Sequence, residues 1–120
     1  MSNLEQFQAY AAAFEETYAD DDWQRLEKYF TDDAVYAPGD GTEVTGRDQV
    51  LAQLRGGING LDRRFDSREL SAAQPSSQGD MVSLSWQLRL SKTGAPDITA
   101  TGVEHAKYTD GAISRLEDVF

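Results

Sequence analysis

Apolar residues recur at spacings of three and four near the start of the chain, at Leu4, Phe7, Ala11, Phe14 and Tyr18. That period marks one face of an α-helix, and Ser2 followed three residues later by Glu5 supplies a capping box to open it. Asp20, Asp21 and Asp22 end this helix. The same run offers an N-cap and favourable charge to a second, short helix with Trp23, Leu26 and Phe30 on one side. Residues 34–37 then read as a short strand, stopped by Pro38-Gly39-Asp40-Gly41, where proline removes a donor and glycine permits turn geometry. Thr45 with Asp48 is a second capping signature. It opens a helix with Val50, Leu51, Leu54 and Ile58 on one face and Gly56, Gly57 and Gly60 as its stop.

Beyond residue 64 the period changes from helical to alternating. Residues 65–73, 81–91, 98–109 and 112–120 are strand candidates, separated by residues 74–80, by residues 92–97 and by the Asp110-Gly111 hairpin signal. In the second of them Val82, Leu84, Trp86, Leu88 and Leu90 occupy one face, while Ser83, Ser85, Gln87 and Arg89 take the other. Helices followed by a meander predict an α+β fold, three helices packed on one face of a strongly curved, mostly antiparallel sheet. The 120 residues suit a single domain (1–120) that buries roughly two thirds of its unfolded surface.

The alternation also sets carboxylates among apolar neighbours. Glu104 falls with Ala100, Gly102, Ala106 and Tyr108, and Asp118 lies between Leu116 and Phe120. An ionised carboxylate taken from water without partners costs several kcal/mol, so two such positions predict a lined pocket with acid chemistry. Burial would raise either acid from about 4 toward neutral pH, and two acids on adjacent strands would couple, one protonated and one ionised. Periodicity leaves the facing open. Ile113 and Val119 make the alternate face of the last strand apolar too, and Asp118 could instead pair with Arg115 or Arg89 at the surface. His105 is expected opposite Glu104, among Thr101, Val103 and Lys107, although a phase shift of one residue would exchange the two.

Composition removes several chemistries. The chain has no cysteine and one histidine, which excludes disulfides, thiolate nucleophiles and His-rich metal sites. The three consecutive aspartates lack the alternate spacing and central glycine of a calcium loop, and the glycines near residue 57 lack the Lys-Ser/Thr of a phosphate cradle. A net charge of −10 with scattered basic residues argues against nucleic acid and anionic membranes. Arg63, Arg64 and Arg68, the one local basic cluster, are expected on a solvated loop or strand edge. No apolar run approaches the ~18 residues of a membrane span and no leader pattern stands at the start, so a cytoplasmic location is expected.

The order of elements, Asp22-Trp23, Phe30-Thr31-Asp32-Asp33-Ala34-Val35-Tyr36, Gly46-Arg47 and Asp110-Gly111-Ala112-Ile113 resemble the nuclear transport factor 2-like superfamily over nearly the whole chain. Within it the chain is most similar to SnoaL-like polyketide cyclases and ketosteroid-isomerase-like proteins. The resemblance implies a cone-shaped α+β fold enclosing a deep apolar pocket, commonly dimeric. It implies for Glu104 the role of a protonated acid that donates a hydrogen bond to a developing oxyanion. It does not extend to the isomerase's base, matched by Ala37, or to its oxyanion tyrosine, matched by Phe14, so steroid isomerisation by that mechanism is not implied. Asp118 also matches an acid of limonene epoxide hydrolases, but the Arg-x-Asp of those enzymes is absent, since Arg89 is followed two positions later by Ser91. Polyketide cyclases of this type use a last-strand Asp as acid/base, the pattern that Asp118 meets.

The expected function is acid/base conversion of a small hydrophobic carbonyl-containing molecule, by isomerisation, cyclisation or dehydration, without metal or organic cofactor. Asp118 would shuttle the proton, Glu104 would act as hydrogen-bonding acid and Tyr36 would position the pair. Phe14, Tyr18, Leu54, Ile58, Trp86, Leu116 and Phe120 would line the pocket, and the outer sheet face would form a homodimer. Two alternatives remain: a non-catalytic binding or dimerisation module of the same shape, and a structural domain with the pocket filled by Trp86, Tyr18 and Leu54.

Overall fold

The computed structural model describes residues 2–120. Helix α1 (Asn3–Asp20) starts on the expected capping box: the Ser2 hydroxyl accepts from the Glu5 amide at 3.1 Å, and the Glu5 carboxylate accepts from the Ser2 amide at 3.2 Å. Such a cap stabilises a helix by about 1 kcal/mol. The buried stripe is rotated from the expected one. Phe7, Tyr10, Ala13 and Thr17 face the core, and Leu4, Phe14 and Tyr18 pack at its margin. Thr17 tolerates full burial because its hydroxyl donates to the Asp22 carbonyl at 3.2 Å.

The aspartate run works differently from its expected role as an N-cap. Asp21 takes the left-handed conformation that closes α1, with φ of 62°, which a short polar side chain accommodates. Its carboxylate accepts the Trp23 indole N–H at 2.7 Å. Asp22 makes no side-chain cap; its amide donates instead to Asp20, which also pairs with Arg25. The segment that follows, Trp23–Tyr29, is a 3-10 helix, and Phe30 belongs to the next strand rather than to the helix.

Strands β1 (Phe30–Ala37) and β2 (Val44–Thr45) precede α2 (Arg47–Gly60). Thr45 does not cap α2, because it is a strand residue paired with Val35. Gly46 fills the cap position at φ of 101°, a conformation that favours glycine. A 3-10 turn (Asp62–Arg64) leads into β3 (Ser67–Ala72), β4 (Ser76–Gln78), β5 (Met81–Ser91), β6 (Ile98–Thr109) and β7 (Ala112–Val119). Strand β4, in a stretch expected to be loop, pairs with β5.

The sheet order is β2-β1-β7-β6-β5-β3. All pairings are antiparallel except β1 with β7, so the sheet is mixed, and its two end strands leave it curled but unclosed. Leu26, Val50, Leu54 and Ile58 from the helices pack against Val82, Ala106, Ile113 and Leu116 from the strands. Each large apolar side chain buried this way contributes about 1.5–3 kcal/mol.

Arg68 departs from the expected solvated cluster. Its side chain is 6% exposed and pairs with Asp62 at 2.7 Å and Glu15 at 2.6 Å, while its guanidinium lies 4.5 Å from the Tyr18 ring centre. This clamp joins α1, the second 3-10 turn and β3. Removing one partner of such a buried pair costs about 3–5 kcal/mol. Among the described residues no helix is long and apolar enough to cross a membrane.

Candidate active site

Strand register brings the two acids together. Glu104 on β6 stands directly opposite Asp118 on β7 and, across its other edge, opposite Leu84 on β5. The same face carries Val82, Ala106 and Leu116, which are fully buried, so both carboxylates point toward the helices. A register shift after Lys107 aligns Tyr108 with Ile113. The resulting bulge lets Ile113 and Leu116 both enter the core, although simple alternation would send them to opposite faces.

The acid pair sits within a ring of phenols. The Tyr36 hydroxyl donates to Asp118 Oδ2 at 2.8 Å, and Asp118 shares a hydrogen bond with Glu104. Burial pushes the Glu104 carboxyl well above its ordinary range, and the adjacent Asp118 charge pushes it further. Burial likewise raises the phenols of Tyr36, Tyr10 and Tyr108, the Asp118 charge adding most at Tyr36 and the Glu104 charge most at the other two. All three therefore stay protonated at neutral pH. Tyr10 reaches the cluster from α1. Its ring is enclosed by Phe7, Phe14, Tyr29 and Phe30 at centroid distances of 5.5 to 6.1 Å, with a polar tip among carboxylates. The Tyr108 hydroxyl is buried and has no partner.

Tyr36, Glu104 and Asp118 thus lie together on the helix-facing side of the sheet. Tyr10 and Tyr108 are additional members that sequence reading left without a role. The signal for Tyr10 was its spacing, three residues after Phe7 and four before Phe14; that for Tyr108 was its alternation with Glu104 and Ala106. His105 lies on the opposite face, in register with Ser83 and Glu117, and its Nδ1 is 2.7 Å from the Ser83 hydroxyl.

The seven residues expected to line one pocket occupy three regions. Leu54, Ile58 and Leu116 are core. Phe14 packs edge-on against Trp23 at 5.8 Å, and Tyr18 lies under Arg63 and Arg68. Trp86 and Phe120 meet edge to face at 5.5 Å. Two open grooves flank that aromatic pair. One, of about 350 Å³, runs between the β1–β2 loop and the end of β7 and reaches Asp118, Ala37 and Phe120. The other, of about 490 Å³, is lined by Ala72, Ser85, Trp86, Gly102 and Val103. Glu104 and Asp118 are only half-buried, so the pair is desolvated without being sealed. Among the described residues no cluster of three His, Asp or Glu side chains is arranged to hold a metal.

A family profile for the SnoaL-like domain matches residues 8–116. No curated protein matches the chain. Among solved structures, an NTF2-like protein of unknown function from Burkholderia pseudomallei superposes with a TM-score of 0.74 at 18% identity, covering 100% of this chain and 92% of that one. A candidate polyketide cyclase from Sinorhizobium meliloti gives 0.68 at 18% identity, covering 92% and 93%. A protein with a ketosteroid isomerase-like fold from Catenulispora acidiphila gives 0.70 at 16% identity, covering 92% and 84%. At these identities the structural likeness establishes a shared fold.

Proposed function

The chain belongs to the SnoaL-like domain family, and on that premise we propose that it catalyses proton transfer on a small hydrophobic carbonyl compound. The observation that carries this reading is the hydrogen-bonded series Tyr36, Asp118, Glu104 within a ring of protonated phenols. Asp118 is the base. Its carboxylate accepts from Tyr36, which fixes its orientation, and takes a proton from the carbon next to the carbonyl. Glu104 is the acid. Held protonated by burial and by Asp118, it donates to the carbonyl oxygen as the enol forms. Tyr10 and Tyr108 are further donors to that oxygen, Tyr10 standing one helical turn before Phe14. Return of the Asp118 proton to another carbon gives isomerisation, and attack of the enol on a second carbonyl, whose new alkoxide takes the Asp118 proton, gives aldol-type cyclisation. In both cases the enol proton returns to Glu104 and the pair is restored.

General acid/base catalysis of this kind contributes about 10²–10⁴-fold. The test uses acetylnaphthalene in deuterated water, with deuterium uptake at its methyl group followed by NMR. Uptake faster than in buffer is expected, falling about a hundredfold in Asp118→Asn. Catalysed uptake that is unchanged in Asp118→Asn and Glu104→Gln contradicts the assignment. Binding of the ketone without catalysed uptake supports the alternative of a binding module.

A further inference from the structure

From the charges around the acid pair we infer that the site admits uncharged or positively charged molecules and rejects those bearing an ionised acid group. The inference rests on the reading of Glu104 and Asp118 as the ligand-facing centre and specifies the substrate class. The groove at the end of β7 that reaches Asp118 is bordered by Glu43 and Glu117 and by a single guanidinium, Arg115. Arg115 is not free to receive an anion: it is 2.8 Å from Glu43 and 3.4 Å from Glu117. On the inner face, Arg68 is likewise occupied by Asp62 and Glu15.

The remaining polar groups at the pair are phenols. They stabilise negative charge that develops on an oxygen already held there, but as neutral dipoles they cannot offset the charge of an incoming carboxylate. An incoming carboxylate would have to approach the half-buried Asp118, where like charges repel more strongly than in water. The chain's net charge of −10 acts in the same sense, slowing the approach of anions and favouring cations. Trp86 and Phe120, edge to face beside the groove, supply apolar and π surface that suits a flat neutral ligand or an ammonium group.

Three probes of one shape separate the possibilities: acetylnaphthalene, naphthylmethylammonium and naphthoate, titrated at neutral pH while the Glu104 and Asp118 carboxyl carbons are observed by NMR. The ketone and the ammonium should bind and move both signals, and naphthoate should bind at least about tenfold more weakly. Asp118→Asn should narrow the gap between naphthoate and the ketone. Naphthoate binding as tightly as the ketone overturns the selectivity while leaving the site assignment standing. If no probe moves either carboxyl signal, the site assignment itself fails and the inference falls with it.

Discussion

Glu104 has two reasons to keep its proton, and both act only in the folded chain. Burial removes water from the carboxyl group, and Asp118 sets a second acid directly opposite. The unfolded chain releases this proton once pH passes the ordinary value of 4.5, whereas the native state still holds it. The native state then binds more protons than the unfolded one, so stability falls as pH rises from that value through the raised native one, and levels off above it. Glutamine cannot ionise. Glu104→Gln should therefore lose less stability than the parent between mildly acidic and alkaline pH, measured by urea unfolding across that range. Parallel curves for the two proteins would contradict a desolvated Glu104.

At the scale of elements, long strands were legible and local punctuation was not. The expected strands at residues 81–91 and 98–109 coincide with β5 and β6, because each alternates cleanly against a buried face. The caps at Asp22 and Thr45 failed, since a side-chain oxygen near a helix start caps only when the backbone brings it to the free amides; Thr45 is held in β2 instead. The facing of Asp118 stayed ambiguous for a related reason. Alternation assumes an unbroken ladder, and the bulge between β6 and β7 puts Ile113 and Leu116 in the same core. Gly102 also carried information that composition hides. A Cβ there would lie 2.5 Å from the Trp86 ring and 2.8 Å from the Val119 carbonyl oxygen, so the strand is bare where the indole crosses it. Gly102→Ala should cost about 1–3 kcal/mol by overpacking, read as a lower urea midpoint, and should alter Trp86 fluorescence. An unchanged midpoint and spectrum would mean that the indole does not rest on this strand.

The acid pair is a product of the whole molecule rather than of any one element. Tyr10 comes from α1, Tyr36 from β1, Glu104 and Tyr108 from β6 and Asp118 from β7, and no local sequence window contains more than two of them. The acids were visible in the sequence because each interrupts an apolar strand face. Of the phenols only Tyr36 was given a role; Tyr10 and Tyr108 were not, because tyrosine at an apolar position reads as ordinary core until its hydroxyl is found beside a carboxylate. Convergence of these elements buries the Glu104 carboxyl beside Asp118 and pushes it above its ordinary range, and the proposed chemistry depends on it. The most direct test is a carbon-13 NMR titration of the Glu104 carboxyl signal, assigned with Glu104→Gln. The account predicts a midpoint well above 4.5, with the Asp118 signal responding to the same transition. A Glu104 midpoint at its ordinary value would contradict the shared proton and the mechanism built on it.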